Sequence, residues 1–140
     1  MPNHARPVTR PTWPVRWAGA LLCLAVAAIH VVDQGGFTVT RDPYYIGVAY
    51  HVLEIAAVLA ALLLVLGLSR PGWLLAVAVA AGPLLGYLLS RGPGLPYYGT
   101  DRGNWTETLG LVSLAVEGAL LLLSVTMVLL GARYRTQPST

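Results

Sequence analysis

The sequence predicts an all-α membrane protein, an up-down bundle of four transmembrane helices with both termini on the cytoplasmic side. Hydrophobic residues make up 56% of the 140 residues and charged residues only 11%, whereas about a quarter of the residues in a soluble domain are charged. Four apolar runs approach the roughly 20 residues that are needed to cross the hydrocarbon core of a bilayer. All nine basic residues are arginines, and they are distributed unevenly between these runs.

The apolar runs place the transmembrane segments at about 17–32, 45–68, 73–90 and 109–130. Glycine, proline or arginine residues lie near the ends of each segment. These residues are typical of the end of a membrane-spanning helix. Pro83 lies inside the third run and predicts a kink there, because proline removes one backbone hydrogen bond. We expect one transmembrane domain over 17–131, a disordered basic tail over 1–16 and a second cytoplasmic tail over 132–140.

The arginines predict the orientation. Six of them lie on the side of the two termini, and three lie on the opposite side: Arg6, Arg10, Arg16, Arg70, Arg133 and Arg135 against Arg41, Arg91 and Arg102. The more basic side of a membrane protein is normally cytoplasmic. We therefore expect a multi-pass protein of the cytoplasmic (inner) membrane, with the lipid bilayer as its surroundings and two long loops outside. The net charge of +3 is explained by this topology, so no nucleic-acid partner is expected.

The first helix has one alternative interpretation. Ala25-Val26-Ala27 follows a basic segment and a short apolar core, the pattern of a signal-peptidase site. Against cleavage, the apolar run continues beyond this site to Val32. The single cysteine, Cys23, excludes an internal disulfide and is expected to be a small packing residue.

Two histidine–carboxylate pairs predict a metal site. His30 and Asp33 are three residues apart on the first helix, and His51 and Glu54 have the same spacing on the second. Residues three apart share a helix face, so the two pairs could converge between adjacent helices near the outer side. Imidazole and carboxylate together suit zinc, iron or manganese, and helical bundles build metal sites from facing helices.

A second set of side chains predicts a polar pocket between the third and fourth helices. Its members are polar or ionisable residues in the outer halves of these two helices: Tyr87, Arg91, Glu107, Ser113 and Glu117. Glu117 is the deepest, in the middle of the fourth apolar run. An ionisable residue at membrane depth is costly, and it therefore marks a candidate functional site.

These residues leave several functions open. The first is a polar site holding a transition metal or taking part in redox chemistry, with haem b on His30 and His51 as a variant. The second is a structural or assembly subunit without chemistry of its own. The third is a path for protons, ions or small solutes through Glu117. A larger membrane complex or a homo-oligomer is compatible with each. Because the chain lacks a nucleophile-elbow, zinc-protease or nucleotide-binding motif, we favour a protein that is not an enzyme.

Two segments carry a resemblance to a known group. They are Gly86-Tyr87-Leu88-Leu89-Ser90-Arg91, followed by Gly94-Leu95-Pro96, and Trp105-Thr106-Glu107-Thr108-Leu109-Gly110, continued by Ser113-Leu114 and Glu117-Gly118. Together they resemble small uncharacterised four-helix membrane proteins of actinobacteria, which often read Glu-Pro-Leu-Gly where this chain has Glu107-Thr108-Leu109-Gly110. The resemblance implies the same four-helix topology and draws attention to Arg91, Glu107 and Glu117. It implies no activity, substrate or cofactor.

Overall fold

The computed structural model describes residues 13–38 and 41–133, and this part of the chain is helical apart from its connections. The helices are α1 (Trp13–Gln34), α2 (Tyr44–Val65), α3 (Ser69–Arg91) and α4 (Thr108–Arg133). Each is long and apolar enough to cross a membrane. The predicted fold class, a four-helix membrane bundle, is thereby confirmed. Most of the two predicted tails lies outside the described residues.

Several helix ends differ from the predicted boundaries. α1 begins at Trp13 and α3 begins at Ser69, both four residues before their predicted starts. Pro71 falls within the first turn of α3, where its missing N–H costs no hydrogen bond. α2 ends earlier than predicted, at Val65, because Gly67 takes a left-handed conformation (φ 85°) that closes the turn. α3 continues as a helix through Pro83.

The four helices pack in a ring. α1 and α3 each pack against both α2 and α4, and they also contact each other across the centre. The buried core is rich in small side chains, which let helices approach closely in a membrane protein: Ala20, Cys23, Ala57, Ala60, Ala61, Ala76 and Ala80. The ring has two distinct ends. We call the end with residues 92–107 and the α1–α2 connection the loop end, and the end with the short 66–68 connection the turn end.

Trp73 packs in the core near the turn end. It lies close to the start of α3 and is only 2% exposed. Its ring lies against Gly19 of α1, where a Cβ atom would come within 2.5 Å of it. The glycine creates the space that the indole fills, and no periodicity in the sequence indicates this pairing. Trp73 is therefore a core residue.

Arg16 has a structural role at the turn end. Its guanidinium donates hydrogen bonds to the carbonyl oxygens of Leu64 (2.8 Å) and Val65 (2.7 Å). The last carbonyls of a helix have no partner within the helix, and a basic side chain can satisfy them. Arg16 thus caps α2 from α1, in addition to the topological role that the sequence predicts for it.

Candidate functional site: a cavity between the helices

A cavity of about 670 Å³ lies in the loop-end half of the bundle. All four helices and the 92–107 segment contribute to it. Most of its wall is apolar and comes from α1, α2 and α3, including Ile29, Val52, Leu53, Ala56, Ala78 and Val79. Gly82 and Gly86 also line it, and a Cβ atom on either would meet no other atom within 4 Å. The cavity therefore has unfilled space beside α3.

The cavity reaches the surface between α2 and α3. Val52 on α2 lines it and is 60% exposed, and Ala78 and Gly82 on α3 are exposed lining residues too. The surface of a membrane-spanning helix faces lipid, so this opening faces the bilayer. At the loop end, Leu95, Tyr98 and Asp101 from the 92–107 segment form part of the wall.

The 92–107 segment is held over the loop end by a contact with α2. The Tyr45 hydroxyl donates a hydrogen bond to the carbonyl oxygen of Pro96 at 2.5 Å. Tyr45 on α2 and Leu95 in the 92–107 segment both line the cavity. The 92–107 segment thus forms part of the cavity wall at the loop end.

Glu117 provides a polar side chain deep in the cavity. It is 1% exposed and lies nine residues into α4, about 14 Å along the helix axis. The Ser113 hydroxyl, one turn earlier, donates a hydrogen bond to its Oε1 atom. Nε2 of His30 on α1 is 3.8 Å from the same oxygen, which is beyond hydrogen-bond distance.

The His30 ring is oriented by its own helix. Its Nδ1 atom lies 2.9 Å from the carbonyl oxygen of Val26, four residues earlier. Since a carbonyl oxygen only accepts, Nδ1 carries a hydrogen, and in neutral His30 the Nε2 atom has a lone pair. A neutral His30 therefore presents an acceptor towards Glu117, not a donor.

Arg91 organises the α3–α4 corner of the loop end. Its guanidinium forms ion pairs with Glu107 and, at 3.3 Å, with Asp101. It also donates to the Asn104 carbonyl oxygen (3.2 Å) and to the Ser90 hydroxyl (3.1 Å). The Arg91 guanidinium carbon lies 4.3 Å from the centre of the Tyr87 ring. The ion pair with Glu107 links the end of α3 to the residue that precedes α4.

Arg41 makes several contacts on the opposite side of the loop end. The sequence pattern predicted only a topological role for it and did not place it among the candidate site residues. It pairs with Asp33 and donates to the Tyr50 hydroxyl at 3.1 Å. Its guanidinium carbon lies 5.6 Å from the Tyr50 ring centre and 5.9 Å from the Tyr98 ring centre. Burial and the hydrogen bond to Asp101 raise the pKa of Tyr98, which keeps the phenol protonated at neutral pH. The sequence feature that could have pointed to this cluster is the set of tyrosines near the loop end. Tyrosine is also common at membrane interfaces where there is no functional site, so this feature is not specific.

The four predicted metal ligands have separate partners. His30 is bonded to Val26, and Asp33 to Arg41 and Tyr50. Glu54 accepts a hydrogen bond from Gln34 at 2.7 Å. The ring nitrogens of His51 face the carbonyl oxygens of Gly47 (2.7 Å) and Phe37 (3.3 Å).

The structure gives no support to a metal site. Residues 13–38 and 41–133 contain no group of three or more His, Cys, Asp or Glu side chains that could hold a metal ion. The atoms that would ligate a metal face different groups, since Nε2 of His30 lies 3.8 Å from Oε1 of Glu117 and Nε2 of His51 lies 3.3 Å from the Phe37 carbonyl oxygen. His30 lines the cavity and His51 does not, so haem ligation by the two rings gains no support either.

The five residues predicted to form a polar pocket all line the cavity: Tyr87, Arg91, Glu107, Ser113 and Glu117. They form two groups, with Arg91 and Glu107 at the loop end and Ser113 and Glu117 deeper. Tyr87 belongs with the loop-end group, since its ring lies against Arg91, its hydroxyl donates to the Trp105 carbonyl oxygen (2.8 Å) and its ring edge lies against Gly110. Their action as one site remains a prediction.

The chain matches no protein-family model, no curated protein and no solved structure. The resemblance to the actinobacterial membrane proteins therefore remains a prediction, and the functional argument depends on the cavity.

Proposed function

We propose that this multi-pass membrane protein binds a lipid-soluble small molecule in the cavity. The ligand enters from the bilayer between α2 and α3, and its polar group lies towards Glu117. The observation that carries the proposal is the position of the opening, with Val52, Ala78 and Gly82 exposed on the lipid-facing surface.

The cavity has the character of a small-molecule site. Such sites occupy about 300–1,000 Å³ and combine apolar walls with a few polar groups, and this cavity of about 670 Å³ falls within that range. The walls match a lipophilic body, while Glu117, His30 and Ser113 provide polar contacts at one place. By the distribution of arginines, we place the protein in the cytoplasmic membrane with the loop end outside.

A structural or assembly subunit is the second candidate. In its favour, Arg41 and Arg91 are extensively paired and would hold the loop end together by themselves. A purely structural polar cluster needs its groups packed against one another, however, and a cavity of about 670 Å³ beside them has no role in it. This space is why we favour ligand binding.

The proposal is tested by filling the cavity. Gly86→Leu introduces a side chain at a lining position where the Cβ atom meets open space. Gly118→Leu is the matched control, because Gly118 is also helical, also has open space for a Cβ atom and does not line the cavity. Binding of the neutral lipophilic fluorophore Nile red is measured in lipid nanodiscs, with empty nanodiscs subtracted.

We expect saturable binding to the unmodified protein and to Gly118→Leu, and binding about tenfold or more weaker in Gly86→Leu, a difference of about 1.4 kcal/mol or more. No saturable binding above empty nanodiscs, or equal affinities for the two variants, would refute the cavity as the site. Circular dichroism and monodispersity of both variants show whether each retains the fold.

A further inference from the structure

We propose that the ligand is a lipophilic organic cation, such as a hydrophobic amine or a quaternary ammonium or phosphonium compound. This inference rests on the proposed function and adds the charge of the ligand's polar group. It depends on three features of the cavity: its balance of charged side chains, the surroundings of Glu117 and the aromatic rings in the wall.

The charge balance of the cavity is acidic. Four carboxylates line it, namely Asp33, Asp101, Glu107 and Glu117, whereas the lining contains a single guanidinium, that of Arg91. The carboxylates remain in excess even when Arg41, which pairs with Asp33 beside the cavity, is counted. The field at this end of the cavity therefore favours a cation over an anion.

Neither arginine is available for an anionic group. Arg91 holds Glu107, Asp101, Ser90 and the Asn104 carbonyl, and Arg41 holds Asp33 and the Tyr50 hydroxyl. A fatty-acid carboxylate or a lipid phosphate would have to displace one of these carboxylates. It would also enter next to the others, where like charges repel.

Glu117 lacks a basic side chain in hydrogen-bond contact within the described residues. Its contacts there are the Ser113 hydroxyl and, at 3.8 Å, the His30 ring. Arg91, the basic residue that lines the same cavity, is engaged at the loop end. A ligand cation at Glu117 would supply the counter-charge that a buried carboxylate requires.

The aromatic rings in the cavity wall also favour a cation. Tyr45, Tyr50, Tyr87 and Tyr98 all line the cavity. The faces of aromatic rings attract cations and repel anions, and three of these rings already lie close to arginine side chains, at 4.3–5.9 Å from ring centre to guanidinium carbon. A lipophilic cation finds apolar walls, tyrosine rings and one buried carboxylate in a single space.

The test compares ligands of one shape and different charge. Tritiated tetraphenylphosphonium, tetraphenylborate and neutral tetraphenylsilane are titrated against the protein in nanodiscs of uncharged lipid, with empty nanodiscs subtracted. Glu117→Gln removes the charge and keeps the shape. Glu54→Gln is the control, because Glu54 is also a buried carboxylate but does not line the cavity.

We expect tetraphenylphosphonium to bind about tenfold or more tighter than the other two compounds, since opposite charges attract strongly where water is scarce. This preference is lost in Glu117→Gln and retained in Glu54→Gln. Equal affinities for the three compounds, preference for the anion, or an unchanged preference in Glu117→Gln would overturn the inference.

The outcomes for the two proposals can be told apart. If Nile red binds and Gly86→Leu weakens it while the phosphonium ion has no advantage, the cavity remains a binding site for neutral lipophiles and the charge inference fails. If no compound shows saturable binding, the proposed function fails together with the inference.

Discussion

Arg91 shows how one residue joins the end of α3 to the beginning of α4. Its guanidinium is 9% exposed and contacts Glu107, Asp101, Ser90 and the Asn104 carbonyl. A planar guanidinium with several donors in fixed directions suits such a set of acceptors. The segment 92–107 is thereby held in the position where it forms part of the cavity wall.

Replacing Arg91 with alanine is expected to lower the free energy of unfolding by about 2–4 kcal/mol. Loss of one partner of a buried ion pair costs about 3–5 kcal/mol, and the estimate is reduced because Glu107 is partly exposed. Unfolding in mixed detergent micelles measures the change. Arg102→Ala, which removes an exposed arginine of the same segment, should change stability by less than about 0.5 kcal/mol. Similar losses in the two variants would show that Arg91 has no such role.

The contact between α3 and α4 depends on a glycine. Gly110 lies one turn into α4, and a Cβ atom there would be 2.8 Å from Cε2 of Tyr87. The Tyr87 ring has little freedom to move away, because its hydroxyl is bonded to Trp105 and its face lies against Arg91. The close approach of the two helices sets the position of the Tyr87 ring in the cavity wall.

Gly110→Ala is therefore expected to destabilise the protein by about 1–3 kcal/mol, the usual cost of overpacking. Gly118→Ala adds the same methyl group to the same helix in open space. It should be neutral or stabilising by up to about 1 kcal/mol, because alanine favours helix over glycine. The difference between the two variants in thermal unfolding checks the contact. A Gly110→Ala protein as stable as Gly118→Ala would contradict the close approach.

The elements were predictable because helix length and apolar composition are properties of continuous segments. The positions of the helix ends were less predictable. The burial of Trp73 against Gly19 was not predictable, since such pairing between helices leaves no periodic trace in either segment. His51 illustrates the same limit for sites, because a His-x-x-acid spacing predicts a shared face but does not show that its ring bonds to Gly47.

The orientation of the whole molecule is the next prediction. Four spans put both loop-end connections on one side and the 66–68 turn on the other. The distribution of arginines predicts that the turn is cytoplasmic. Within a Cys23→Ala background, Gly99→Cys should react with a membrane-impermeant maleimide added to intact cells, while Ser69→Cys should react only after the membrane is opened. The reverse pattern would contradict the orientation, and labelling of both in intact cells would contradict a membrane-spanning α3.

The cavity itself could be predicted only in part. Glu117 was identified as a residue of interest because it is an ionisable residue inside an apolar run, and Arg91 because it is a charged residue at the end of one. The volume of the cavity depends on how the four helices pack together, which is a property of the whole bundle. Arg41, placed by the connection between α1 and α2, was assigned a topological role only.

The account depends on one claim about the whole molecule, which is that the space between α2 and α3 holds a lipid-soluble ligand. The most direct measurement is the affinity for Nile red of Gly86→Leu and Gly118→Leu in the same nanodisc lipid. The account predicts affinity at least about tenfold weaker for Gly86→Leu, with the control unchanged from the unmodified protein. Equal affinities in two folded variants would contradict it, and would favour a structural or assembly role for the loop-end cluster.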